Sequence, residues 1–75
     1  MKFNKEFDMK LEEEAATFMC DDKIVHIDKA KKDTFKVSIN EKNDLQCIKE
    51  VGNITASCDK ELNEKIRDIV NNYED

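Results

Sequence analysis

Three cysteines and a single histidine are the side chains here best suited to metal or nucleophile chemistry: Cys20, Cys47, Cys58 and His26. They add up to a formal Cys₃His set. Structural zinc sites draw ligands from close pairs, C-x₂₋₄-C or H-x₃₋₅-H, because one turn then presents two donors at once. In this chain five, twenty and ten residues intervene between successive members of the set. The expectation is three free, mostly buried thiols and a partly exposed strand histidine near a carboxylate. A cysteine nucleophile needs a base and an orienting group beside it, and no spacing pairs a cysteine with His26. Carboxylates are abundant, with 18 acids. A glycosidase dyad also needs a cleft with aromatic platforms, and the aromatic side chains are only Tyr73 and four Phe, most of them assigned to the core. One glycine excludes a Gly-rich phosphate loop. No D-x-[DN]-x-[DN]-G register for calcium occurs either. The sequence therefore predicts no catalytic site, no metal and no cofactor, and the chain is not expected to be an enzyme.

Size points the same way. A chain of 75 residues makes one small domain, residues 1–75, with a thin core. Lys and Arg number 13 against the 18 acids, for a formal charge of −5 and a pI near 4.9. Nucleic-acid binders cluster Lys and Arg and run basic, so direct nucleic-acid binding is not expected, nor is binding to anionic membranes. The nearest basic cluster, Lys29, Lys31, Lys32 and Lys36, is interrupted by Asp33 and reads as a solvated turn. No run of 18 apolar residues exists for a spanning helix. The first residues are charged throughout and lack an apolar signal core. The expected compartment is the cytoplasm, which an odd cysteine count without C-x-x-C also suits.

The elements that must position these groups follow from periodicity. Phe3, Phe7, Leu11, Ala15 and Phe18 fall at helical spacing, and good helix formers fill the stretch between, so a helix is expected over residues 4–19. Phe3, Phe7, Met9 and Leu11 also share odd positions, which leaves a strand as the alternative for residues 2–11. Strands are expected over residues 23–28, 34–40 and 45–51, with a short fourth over 54–57 after a Gly52-Asn53 turn. The clearest alternation is Phe35, Val37 and Ile39 against Thr34, Lys36 and Ser38. Leu62, Ile66, Ile69, Val70 and Tyr73 mark one face of a helix over about residues 58–73, capped by Ser57 or Asp59. The fold class is α+β: an N-terminal helix, a three- to four-stranded antiparallel meander and a C-terminal helix, with both helices on one face of the sheet. The expected core is Phe7, Leu11, Ala15, Phe18, Val25, Ile27, Phe35, Val37, Ile39, Leu45, Cys47, Val51, Leu62, Ile66, Ile69 and Val70.

What remains for function is the acidic surface. Glu12, Glu13 and Glu14 are consecutive, Asp21 and Asp22 follow, and the last helix adds Glu61, Glu64 and Asp68. A carboxylate array imitates a phosphate ladder and attracts a basic groove over long range, with salt weakening the effect. Lys5, Lys10, Lys60, Lys65 and Arg67 are interleaved and screen part of that field. In size, acidity and helix–sheet–helix order the chain resembles small phage-encoded inhibitors of bacterial defence nucleases, anti-CRISPR proteins among them. The resemblance is one of architecture and carries no motif residues across. It implies a small protein-binding inhibitor, a nucleic-acid mimic that occludes the basic nucleic-acid-binding surface of a larger protein such as a host nuclease. The eight acids named above would make the contact. The alternative is a homodimeric structural or regulatory protein without catalytic activity, its seam at residues 23–28 or on the rear of the sheet with Ile24 and Ile48.

Overall fold

The computed structural model describes residues 8–20 and 22–73. Four strands, β1 (Ala15–Cys20), β2 (Lys23–Lys31), β3 (Thr34–Glu41) and β4 (Asp44–Thr55), are followed by one helix, α1 (Asp59–Asn71). The strands form a single sheet in the order β1-β2-β3-β4, each pair antiparallel. The short polar turns between strands allow only neighbours in sequence to pair, which gives the meander.

The expected N-terminal helix is a correction. Within the described residues, 8–14 are irregular and Ala15–Cys20 is a strand. Among the described residues the fold is four antiparallel strands with one C-terminal helix, not a sheet between two helices, and the architectural resemblance loses one of its three supports. Propensity lost to pairing. Ala16, Phe18 and Cys20 alternate toward the core, and the β-branched strand β2 offers a ladder to Thr17 and Phe18. Phe7 lies outside the described residues.

The front of the sheet is the dry face. Val25, Ile27, Phe35, Val37 and Ile39 are buried on it, joined by Cys20 and by Ile54 of β4. Leu62, Ile66 and Val70, one turn apart along α1, close over them. Phe18, Leu11, Val51 and Ile69 are partly buried against this cluster. Ala15, Leu45 and Cys47, assigned to the core from sequence, are exposed. Met9 and Ala56 are fully or almost fully buried in their place.

β4 unites the two strands expected on either side of Gly52, and that glycine is no turn. It stands opposite Val37 in the ladder. A Cβ there would meet Ile69 Cδ1 at 3.2 Å. Its lack of a side chain thus lets α1 approach the sheet. Two irregularities interrupt the pairing of β4 with β3. Val51 is an extra residue between the pairs Val37↔Gly52 and Ser38↔Glu50. Farther along, Ile39 pairs with Lys49 and Glu41 with Asp44, so residues 45–48 stand against Asn40 alone. Such a bulge leaves its extra residues outside the ladder.

Candidate functional site

Polar side chains gather at the two ends of the sheet. At one end lie the segment before β1, the β2–β3 turn and the start of α1. Here Met9, fully buried, is held by its backbone: its N–H donates to Asn63 Oδ1 at 2.7 Å, and its carbonyl accepts from Asn63 Nδ2 at 2.8 Å. The carboxamide of a helix residue thus substitutes for the neighbouring strand that an extended segment would otherwise need. Asn63 Nδ2 also donates to Asp59 O at 2.8 Å, one turn back. Two residues on, Leu11 N–H donates to Asp59 Oδ1 at 2.7 Å. Glu14 O then accepts from Lys29 N–H at 2.8 Å. Residues 8–14 form an arm fixed at three points.

Glu12, Glu13 and Glu14 ride on this arm, and all three are exposed. Glu12 and Asp59 border one open groove of about 810 Å³, together with Lys10, Lys29, Lys32 and Asp33. Three ammonium groups and three carboxylates thus share its rim. Lys29 also sits over the Phe35 ring, 5.7 Å from its centroid.

The other expected acids are dispersed. Asp22 lies in the β1–β2 turn, a six-residue strand away from Glu14, or about 20 Å at ~3.4 Å per residue. The two acid groups do not meet on one helix, as their sequence proximity implied. Asp21 lies outside the described residues. Glu61 is engaged within the fold: its Oε1 accepts from Ser57 N–H at 2.6 Å and from Ser57 Oγ at 3.2 Å. That backbone hydrogen bond, helped by the nearby Lys65 ammonium, holds the Glu61 carboxyl below its ordinary value. Cys58 occupies the N-cap position of α1 without a side-chain cap hydrogen bond, and neither Ser57 nor Asp59 takes that place. Glu64 and Asp68 are exposed on α1, about 7 and 13 Å along the helix from Asp59 at ~1.5 Å per residue.

At the opposite end lie the β1–β2 turn, the β3–β4 turn and the end of α1. Lys23 is buried, and its Nζ donates to Glu41 Oε1 at 2.5 Å across the β2–β3 ladder, with Asp22 Oδ1 at 3.8 Å. Asn40, also buried, tethers the start of the bulge: its Nδ2 donates to Glu41 O at 2.8 Å and reaches Asp44 O at 3.5 Å. Its Oδ1 lies 2.5 Å from His26 Nε2. A buried amide with its polar atoms paired fills the ladder gap that the bulge opens. Beyond it, Leu45 and Ile48 are 67% and 56% exposed. A smaller recess of about 210 Å³ at this end is lined by Ile39, Asp44, Cys47, Lys49 and Tyr73 among others.

The four members of the formal zinc set are not brought together. Cys20 is buried at the end of β1, His26 bonds to Asn40, Cys47 lies in the bulge and Cys58 caps α1 at the far end of the sheet. Among the described residues no three His, Cys, Asp or Glu side chains cluster as metal ligands would. Two of the thiols are exposed, where mostly buried ones were expected. Residues 23–28 fall in β2, an interior strand, so the seam expected at that edge has no free edge to use.

Sequence reading missed Asn63, Asn40 and Met9. Asn63 stands beside Leu62 on the otherwise apolar helix stripe, a polar residue at a core position, and that was the available signal. No helix among the described residues is long and apolar enough to cross a membrane. No protein-family model, no curated protein and no solved structure matches the chain.

Proposed function

We propose that this chain is a non-catalytic protein-binding module of the cytoplasm, which occludes a basic, nucleic-acid-binding surface on a larger protein such as a defence nuclease. The observation that carries the reading is the fixed carboxylate row on the arm. Glu12, Glu13 and Glu14 point to solvent while the chain on either side of them is tied down at Leu11 and Glu14. A row of charges held in place loses less conformational entropy on docking than the same row on a loose tail. Glu64 and Asp68 extend the negative surface along α1. Glu61 contributes less, being engaged with Ser57. Asp22 lies at the opposite end and serves long-range attraction and not the contact.

The experiment is affinity purification from the native host, with salt-step elution and mass spectrometry, followed by a competition assay on the recovered protein. The partner is expected to bind nucleic acid and to lose it when this chain is added. Changing Glu12, Glu13 and Glu14 together to lysine should weaken that competition and flatten its salt dependence. A partner without nucleic-acid affinity, or a triple variant with unaltered affinity and salt slope, overturns the reading.

A further inference from the structure

The bulge end holds its shape through a bond between a side chain that cannot titrate and one that can. Asn40 is buried at 3% exposure, and its carboxamide has one way to face. Its Nδ2 donates to Glu41 O at 2.8 Å and reaches Asp44 O at 3.5 Å. Turned over, the amide would set its own oxygen against those two carbonyl oxygens, and neither has a proton to offer. Oδ1 therefore points at His26, whose Nε2 lies 2.5 Å away. An amide oxygen only accepts, so Nε2 is the ring nitrogen that carries hydrogen. We infer that His26 is fixed as the Nε2–H tautomer, takes up its second proton at Nδ1, and so latches the bulge through Asn40 in both charge states. The fold thereby carries a switch of charge without a switch of shape.

The surroundings of His26 suit that role. The residue is half-buried on β2, and among the described residues its Nδ1 has no hydrogen-bond partner. Strand register sets Thr17 of β1 and Ser38 of β3 directly beside it, both uncharged. The charged residues of this face are Asp28, two positions along β2, Lys36 of β3, which stands opposite Asp28, and Glu50 of β4, which stands opposite Ser38. Lys36 Nζ lies 3.6 Å from Glu50 Oε2. Glu41 and Asp44 meet Asn40 through their backbone carbonyls, and α1 closes over the other face of the sheet. Two carboxylates against one ammonium leave these groups one charge negative while His26 is neutral, and balanced once it is protonated. A doubly protonated imidazole donates from both nitrogens. Proton gain at Nδ1 therefore leaves the Asn40 oxygen its partner, and residues 45–48 keep the carboxamide that stands against them in the ladder. The inference stands on the amide network and the strand register and is independent of the acid row.

Long-range proton–nitrogen NMR of the imidazole, in the full chain, reads the tautomer directly. The neutral ring is expected to show Nε2 at the shift of a protonated nitrogen and Nδ1 at that of a bare one. Along an acid titration Nδ1 should move to the protonated value while Nε2 stays, and the two Asn40 side-chain amide protons should remain resolved at both ends. His26→Gln, which keeps an N–H donor, should leave the exchange of those protons within about two-fold of wild type, whereas His26→Leu should speed it roughly five-fold, the worth of one ordinary hydrogen bond. A neutral ring protonated at Nδ1 overturns the inference. So does coalescence of the Asn40 side-chain protons once the ring is doubly protonated, because the latch would then open with the charge. A His26→Leu chain with wild-type circular dichroism and wild-type exchange at Asn40 also overturns it, since the amide is then held without the histidine.

Discussion

The two ends of the sheet solve opposite problems with the same kind of residue. At the arm end a buried asparagine, Asn63, turns inward and binds the backbone of Met9, drawing a segment without secondary structure into the core. At the bulge end a buried asparagine, Asn40, binds the backbone at Glu41 and Asp44 and holds residues 45–48 outside it. One amide recruits apolar surface; the other displays it. Met9 is 0% exposed and Leu45 is 67% exposed, although both are flexible aliphatic side chains of similar hydrophobicity. The difference teaches that burial in a domain this thin is decided by where backbone hydrogen bonds can be satisfied, as well as by hydropathy.

If that contrast holds, substitutions at the two ends should differ sharply in cost. Met9→Ala is expected to destabilise the fold by about 2–5 kcal/mol in urea denaturation, the range for truncating a fully buried methionine. Asn63→Leu should cost about 3 kcal/mol, because it strands the Met9 N–H and C=O in the interior. Either variant falling within about 0.5 kcal/mol of wild type would show that the arm is not part of the core.

An intermediate effect belongs to the ion pair at the bulge end. The Lys23 side chain is 3% exposed but its Glu41 partner is 50% exposed. Solvent screens such a pair, so Glu41→Ala should cost only about 1 kcal/mol. Lys23→Met, which removes the buried charge itself, should stay within about 1 kcal/mol of wild type. A loss well above that on Lys23→Met would place the ammonium among the main supports of this end.

Smaller still is the contribution of Glu61. Its carboxyl is held below the ordinary 4.5 by the Ser57 backbone N–H and then by Lys65. A depressed folded-state value means that the unfolded chain binds the proton more readily. The stabilisation is therefore complete above about pH 4.5 and fades as pH falls from there through the lowered value. Glu61→Gln should flatten this part of the acid limb, read as melting temperature against pH, and leave the profile at neutral pH parallel to wild type. The smallest effect is expected from Leu45→Ala, within about 0.5 kcal/mol in the same urea assay. A loss above 1 kcal/mol would make that leucine part of the core.

Period-two and helical patterns were legible wherever local signal and tertiary environment agree. Phe35, Val37 and Ile39 are buried as expected, although Ser38, expected on the wet face, is buried too, and α1 carries Leu62, Ile66 and Val70 inward at the expected spacing. Two of the failures, the first helix and the Gly52 turn, arise where distant groups decide. Residues 8–20 are rich in helix formers, yet Asn63, 54 positions away, claims the backbone of Met9, and β2 claims residues 15–20. Gly52-Asn53 reads locally as a turn. The close approach of Ile69 across the core explains the glycine instead. Glu12, Glu13 and Glu14 are exposed, but on an irregular segment and not on the expected first helix. Their fixation by Asp59 could not be read, since no local pattern links an arm amide to a helix carboxylate 48 positions later.

The account rests on the arm being fixed, because only then are its carboxylates displayed from a rigid support. Native-state hydrogen exchange, resolved at single amides, tests this directly. The Met9 and Leu11 amides should exchange with protection approaching that of Val37 in the central strands, and Asn63→Leu should remove it from Met9. Met9 and Leu11 amides exchanging at the rate of an unstructured peptide in the wild-type chain would contradict it.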